Sequence, residues 1–389
     1  MSRIATPGSP RRLCCPVAAC CFLASLVPAV VIAQPASGST SEPLSLEAAI
    51  RLAVENNRQV QTALLQVEKA EEEVVVARTR RLPTFETEVN ASQLLTPVGF
   101  SFPRGAFGDF PGTGPIPAAD TSVDVPRQPT LYVTSQVSQP ISQLVRIGLG
   151  IRSAAATRDI ERERARAQQL SVINSVKRLY FAILQTESAL AAGDEAVALY
   201  RELDRTLTVR VAEKVALRSD ALDVQFQLAQ EELLRTTRQN TLASQKEQLN
   251  QLLGRDVRTA FEVEGVSAIT VLETDLDAAH THAIANRPDV REAQLTLRQA
   301  ELDRRLAVAD RIPEVSLAVS YSSYFNMAIL PRNLATLGVR VKWEPFDWGR
   351  KGRALAAKGH TVQQARLGVR DAEDRTVLEI NSRFRTLAA

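Results

Sequence analysis

Apolar positions along this chain repeat with two different periods, and the period changes at fixed places. From Leu46 to about Arg80 and from Leu276 to about Asp310 the spacing is helical. After Pro83 and Pro313 it becomes strict alternation. Phe85, Thr87, Val89 and Ala91 interleave with Glu86, Glu88, Asn90 and Ser92, and Val315, Leu317, Val319 and Tyr321 interleave with Ser316, Ala318, Ser320 and Ser322. Alternation predicts strands with one apolar and one polar face. Return strands are expected at Leu131, Val133 and Val137 and at Leu337, Val339, Val341 and Trp343, the latter with Arg340, Lys342 and Glu344 on the opposite face. A strand of this length spans a bilayer core when tilted, and apolar-out, polar-in alternation suits a water-filled barrel.

The two stretches are copies of one unit. Leu46–Asn90 aligns without gaps on Leu276–Ser320 at an offset of 230, with 14 of 45 positions identical. Ser45 and Asp275 stand at the N-cap of each copy, followed by Glu47 and Asp277 where the helix dipole favours an acid. Arg287-Pro288 predicts a break inside the second helical stretch.

The connections between strands differ. Thr96–Pro129 is rich in glycine and proline and reads as long, irregular and mobile, whereas Asn326–Asn333 suffices in the second copy. Aromatic residues gather near the strand ends as an expected interfacial girdle: Phe85, Trp343, Phe346 and Trp348 at one end, Tyr132, Tyr321, Tyr324 and Phe325 at the other.

Between Ile147 and Lys214 there is no proline, so one helix of roughly 65 residues would run about 100 Å. Alternate steps of four and three pick out Val172, Val176, Leu179, Ile183, Thr186, Leu190, Gly193, Val197, Tyr200, Asp204, Leu207 and Val211, nine of them apolar. That is a sustained coiled-coil seam. Val215–Ser219 reads as the turn and Asp220–Leu253 as the returning helix, stopped by Gly254. Arg158–Arg166 carries opposite charges three apart (Asp159/Arg162, Glu161/Arg164, Glu163/Arg166), which reads as a solvated helix face.

Composition changes the picture at the N-terminus. Arg3, Arg11 and Arg12 precede an uncharged run from Leu13 to Ala33 that reads as a signal peptide, 1–33. All four cysteines (14, 15, 20 and 21) lie in it, so the mature chain has no thiol for a disulfide or a metal site. Val17-Ala18-Ala19-Cys20 loosely resembles a lipobox, although the apolar run continues past Cys20. Removing three arginines takes the formal charge from +3 to 0, which excludes a nucleic-acid reading based on the basic pI.

Candidate chemistry is sparse. Gly148-Leu149-Gly150 has Ser153 where a dinucleotide loop has its third glycine, and no compact βαβ unit follows. His280 and His282 lie two apart on a helix, so their side chains diverge. Glu71-Glu72-Glu73 reads as a wet face. No catalytic residue, cofactor site or metal site is assigned, and an enzyme is not expected.

Four motifs carry a family resemblance: Leu46-Glu47-Ala48-Ala49-Ile50 with Glu55-Asn56-Asn57, then Leu249-Asn250-Gln251-Leu252-Leu253-Gly254, then Asn286-Arg287-Pro288-Asp289-Val290, and Trp343-Glu344-Pro345-Phe346-Asp347-Trp348-Gly349. In order, spacing and duplication they resemble the TolC-like outer-membrane efflux proteins. The resemblance implies a mixed fold, a long α-helical coiled coil joined to a transmembrane β-barrel, in which each protomer of a homotrimer gives four strands to a 12-stranded barrel in outer-membrane lipid. It implies docking of the helical tip, here Val215, Ala216, Leu217, Arg218, Ser219 and Asp220, onto a periplasmic adaptor, and through it contact with an inner-membrane RND or ABC-type transporter. Ala216 stands where glycine is common. Glu86, Glu88, Asn90, Arg340, Lys342 and Glu344 are expected to line the pore. A soluble periplasmic coiled-coil scaffold is the competing reading, but it has no use for two alternating hairpins.

The expected organisation is a signal peptide (1–33), a first repeat (34–254) containing a β-hairpin (84–140) and a helical hairpin (147–253), a linker (255–275), and a second repeat (276–389) whose long helix is cut short. Equating Pro140 with Pro345 sets the copies 205 apart there, but the strand faces match at 206, so either a bulge or a misassigned face is expected near Pro140.

Overall fold

The computed structural model describes residues 43–265, 275–327 and 330–388. The predicted signal peptide with its cysteines, and the centre of the predicted linker, lie outside these residues.

In chain order the first copy comprises β1 (Pro43–Leu44), α1 (Leu46–Asn56), α2 (Arg58–Thr79) and β2 (Thr84–Gln93). Next come the short strands β3 (Val98–Phe102), β4 (Asp109–Phe110), β5 (Gly114–Pro115) and β6 (Thr121–Val125), then β7 (Pro129–Pro140) and the helices α3 (Leu144–Ala212) and α4 (Arg218–Leu252). After β8 (Glu262–Val263), the second copy comprises α5 (Leu276–Asn286), α6 (Pro288–Ala309), β9 (Glu314–Phe325), β10 (Asn333–Lys342) and α7 (Arg350–Ala388).

The repeat is kept residue for residue in its helices. Both copies open with 11 residues of helix, break, and resume for 22. The sequence signalled the break only in the second copy, through Pro288 at N1, which pre-sets the backbone for a new start. In the first copy Asn57 does the same work differently. Its side-chain oxygen accepts from the backbone N–H of Gln59 and Val60, and its Nδ2 donates to Leu252 O at 2.9 Å. One buried amide thereby caps α2 and ties it to the end of α4.

Four strands form one antiparallel sheet in the order β10-β9-β7-β2. Each strand runs on into a helix, and the helices pack in the same lateral order: α2 against α3, α3 against α6, α6 against α7. The result is a single wall four elements wide, stranded at one end and helical at the other.

The expected bulge is absent, because β7 pairs in unbroken register through Pro140, which lies opposite Ser316. The apparent mismatch came from treating the two prolines as equivalent. Pro140 is the last residue of its strand, while Pro345 lies three residues beyond the end of β10. The Thr96–Pro129 connection is likewise ordered rather than irregular. β3 pairs with β6 (Phe100 opposite Val123) and β4 with β5, extending the first hairpin beyond the sheet. Its turns use glycines with positive φ at 105, 108, 112 and 114, so composition that looked like disorder serves tight turns.

The core lies where α1 and α2 meet α3 and the end of α4. Ala49, Ala53, Val60, Val176, Tyr180, Ile183, Leu249 and Leu253 are fully or almost fully buried there. All twelve predicted seam positions of α3 are buried or half-buried. Towards the far end, from Arg201 to Ala212, only Asp204, Leu207 and Val211 avoid full exposure. They face a matching heptad on α4: Ala221, Val224, Leu228, Glu231, Arg235, Arg238, Leu242, Gln245 and Leu249. Midway the seam turns polar, where Arg235 contacts Asp194 and buried Gly193 makes room for the Arg238 guanidinium.

Candidate functional site

Strand pairing fixes which side chains share a face, since directly opposed residues project to the same side. One row across the sheet reads Phe85, Val137, Val319, Leu337. Leu317 and Val339 are opposed on the same side, as are Val315 and Val341. The next row along, on the other side, reads Glu86, Gln136, Ser320, Thr336, followed by Glu88, Thr134, Ser322, Leu334. Glu86, Glu88, Asn90, Arg340 and Lys342 therefore lie together on one face. Glu344 stands apart, two residues beyond β10, where its Oε2 accepts from Arg350 at 2.6 Å and faces Lys351 at 3.5 Å.

The polar face is internally bonded. Ser320 and Thr336 hydroxyls are 2.6 Å apart, Thr134 and Ser322 3.1 Å, and Arg340 Nη2 donates to Gln136 Oε1 at 3.2 Å. Two polar pairs stand on the apolar face: the Thr87 and Ser135 hydroxyls are 3.1 Å apart, and the Ser323 hydroxyl donates to the Asn333 amide oxygen at 2.9 Å. Paired hydroxyls cost far less to take out of water than lone ones. Phe85, Val89, Leu337, Val339 and Val341 remain exposed on this face in the single chain, a contiguous apolar surface that needs a cover.

The aromatic grouping is only partly as expected. Tyr321 and Phe325 share the apolar face, but Tyr132 and Tyr324 lie on the polar one, ring centroids 6.3 Å apart. The reason is parity, since even-numbered residues of β7 and β9 project to the polar side. At the helix end Phe346 and Trp348 meet edge to face at 4.8 Å, and Trp348 is 90% exposed.

Where sheet meets helices, the polar side encloses a concavity of about 970 Å³ lined by Arg80, Thr84, Arg146, Glu314, Arg340 and Lys342, among others. Every strand residue lining it is of polar parity, so the wall is hollowed on the polar side. Arg146 is held there between Asp310 at 3.3 Å and Glu314 at 3.0 Å.

The charged stretch of α3 does more than stay wet. Its predicted pairs form (Arg162–Asp159 3.8 Å, Arg164–Glu161 2.7 Å, Arg166–Glu163 3.7 Å), and its members also reach across to neighbouring helices. Arg162 contacts Glu71 of α2, Arg164 Nε donates to Glu292 of α6 at 2.8 Å, and Arg291 of α6 approaches Glu163 at 3.9 Å. The Glu292 bond raises the Arg164 pKa. His280 faces Asn381 of α7 at 3.0 Å, while Gly148 and Gly150 lie within α3.

At the opposite end of α3, the chain reverses through a compact cap. Lys214 adopts φ 57, Val215 N–H returns to Arg210 O at 2.9 Å and Lys214 N–H to Val211 O at 3.1 Å, the pattern of a Schellman stop. Val215 and Leu217 are 74% and 69% exposed, Ala216 is half-buried, and Arg218, Ser219 and Asp220 form the first turn of α4. The left-handed position is Lys214, not Ala216, so alanine at 216 carries no backbone penalty.

The sequence profile of the outer membrane efflux protein family matches residues 49–255 and 280–387. The chain belongs to that family. Solved structures of similar fold include CusC (TM-score 0.68, 17% identity, covering 90% of this chain and 76% of that one). VceC of Vibrio cholerae gives 0.68 at 14% identity, covering 88% and 79%, and the Campylobacter jejuni CmeC outer membrane channel 0.68 at 15%, covering 87% and 71%. At these identities the likeness is one of fold. An uncharacterised protein of Haemophilus influenzae is 27% identical over 197 residues, 47% of this chain and 42% of that protein, so the match spans less than half of that relative. Within that family assignment, the feature of this chain to be explained is the wall, the four-strand, four-helix layer just described.

Proposed function

We propose that this chain is the outer-membrane channel subunit of a tripartite efflux or type I secretion system, a passive conduit that performs no bond-making chemistry. The observation that carries the reading is the split of one sheet into an apolar and a polar face by residue parity, with each strand continuing into a helix of the same wall. A layer that is apolar outside, polar inside and hollowed on the polar side is what a water-filled passage through lipid requires. On this reading Val89, Val319, Val339 and Val341 meet lipid, and Glu86, Glu88, Asn90, Arg340 and Lys342 line the lumen, with Glu344 at its inner mouth. Copies of the chain close the barrel as a homotrimer. The bare Val215 and Leu217 with Arg218, Ser219 and Asp220 form the surface for a periplasmic adaptor, which links the channel to an RND or ABC-type pump that supplies the driving force.

Single cysteines test the facing directly, because the mature chain has none. In membrane-inserted protein, a membrane-impermeant thiol reagent should label cysteine at 86, 88 or 340 quickly and cysteine at 89, 319 or 339 barely. Fast labelling at the valine positions with protection at the charged ones would overturn the assignment.

A further inference from the structure

The sheet has two free edges, and their charges are opposite. β2 and β10 are the outer strands, each ten residues long, each almost wholly exposed and without an internal proline or bulge. Such edges are templates for further pairing. On the polar face β2 carries Glu86 and Glu88, and β10 carries Arg340 and Lys342. Within the chain these charges are poorly matched. Glu86 and Glu88 lie opposite Gln136 and Thr134, and Lys342 lies opposite Glu314, whose carboxylate is held by Arg146. Among the described residues Glu86, Glu88 and Lys342 have no ionic partner, and Arg340 has only the Gln136 amide.

We infer that Glu86 and Glu88 form an intersubunit charge lock with Arg340 and Lys342 of a second copy of this chain. The inference rests on the channel reading above and adds the residues that select the joint. β2 is antiparallel to β7, β7 to β9 and β9 to β10, so β10 of one copy meets β2 of the next antiparallel, with no break in alternation around a ring. Pairing over all ten residues puts Lys342 opposite Thr84 and Arg340 opposite Glu86. A two-residue slide puts Lys342 opposite Glu86 and Arg340 opposite Glu88. A one-residue slide is forbidden, because it would turn every apolar side chain to the wrong face. In both of these registers each acid gains a cation beside or diagonal to it, whereas a two-residue slide the other way leaves Glu88 without one.

The same pattern works against wrong assemblies. Two copies joined β2 to β2 would bring four carboxylates together, and β10 to β10 four cations, so the charges oppose closed two-fold edge pairing and favour the head-to-tail contact that builds a ring. The backbone ladder supplies the adhesion and the charges choose the partner edge.

The test uses the full chain exported to the outer membrane, with formaldehyde cross-linking as the general readout of oligomers. E86K/E88K and R340E/K342E should each lower the oligomer yield about tenfold, and the quadruple charge swap should recover it to within about threefold. Cysteines placed together by Glu86→Cys and Arg340→Cys should give a ladder with a short bis-maleimide, and neither alone should. Oligomers that are indifferent to both reversals, or a swap no better than its parents, overturn the charge lock while leaving the channel reading standing. Absence of oligomers in the membrane fraction for the unaltered chain overturns both.

Discussion

Two residues packed against the ends of α1 show how local chemistry is committed to this fold. Gly254 has φ +71, and a Cβ there would stand 2.2 Å from the Asn56 carbonyl oxygen, a backbone atom that cannot swing aside. Gly254→Ala should therefore destabilise by about 2–3 kcal/mol, the combined cost of left-handed backbone and a displaced kink, read as a lower midpoint in thermal unfolding. Tyr180 is the second. Its hydroxyl lies 2.8 Å from Leu44 O and 2.7 Å from Glu264 O, joining β1 and β8 to the long helix. Burial is the main cause that pushes its pKa up. A raised folded-state value means that the neutral phenol's contribution is complete below the ordinary tyrosine pKa of about 10 and is lost as pH climbs through the folded value. Tyr180→Phe should cost about 1–2 kcal/mol at neutral pH, because Glu264 O loses its hydroxyl donor while Leu44 O keeps the Glu264 N–H, and should lose less stability than the unaltered chain on going to alkaline pH. Parallel pH–stability curves for the two proteins would refute that role. The glycine stop at 254 was legible in Leu252-Leu253-Gly254, but its contact with Asn56 joins positions nearly 200 residues apart and leaves no local trace.

At the scale of elements, what could be read depended on whether the signal was periodic or positional. The α3 seam was legible because a heptad repeat persists over forty residues, and Asp204 within it reads as an error until the structure places it half-buried among otherwise exposed neighbours. The α4 seam was not legible because Glu231, Arg235 and Arg238 interrupt it with charges, of which Arg235 pairs with Asp194 and Arg238 lies over Gly193 of α3. Strand faces were legible from alternation, but register was not, since only the pairing shows that Pro140 still belongs to its strand. The small strands β3 and β6 were hidden by glycine and proline, although Val98, Phe100 and Phe102 alternate plainly once sought. Interruption of the seam should matter most where it is driest. Ile183 is fully buried between α1, α3 and α4, and Ile183→Ala should cost about 3 kcal/mol in unfolding by denaturant. A loss below about 1 kcal/mol would mean that the hairpin is held by its ion pairs rather than its seam.

For the molecule as a whole, the two ends of the wall make opposite demands on their surroundings, and this fixes an orientation that can be tested. The stranded end carries the exposed apolar face and ends in the β3–β6 extension, whose base is pinned where Leu94 N–H meets Gln128 O at 3.1 Å and Gln128 Nε2 meets Asn326 O at 2.7 Å. The other end is the tip of α3, a helix of about 100 Å whose outer half pairs with the returning α4, about 50 Å long, with polar flanks. Among the described residues no helix is long and apolar enough to cross a membrane, and the apolar face of the sheet is the surface proposed above to meet lipid. If the sheet is inserted, the extension emerges on one side and the hairpin tip on the other. Trypsin added to intact cells should then cut at Arg104 or Arg127, both exposed in the extension, and spare Arg210, Lys214 and Arg218 at the tip until the outer membrane is permeabilised. Peptide mapping of the two digests distinguishes the cases, and tip cleavage in intact cells with an uncut extension would reverse the orientation. Replacing residues 95–127 by a short turn should leave the sheet intact, since β9 and β10 are joined by a far shorter connection in the same sheet. The shortened protein should keep its membrane fraction and its resistance to trypsin at the tip in intact cells, because the face proposed to meet lipid, the wall proposed to line the passage and the helical hairpin all lie outside the segment removed.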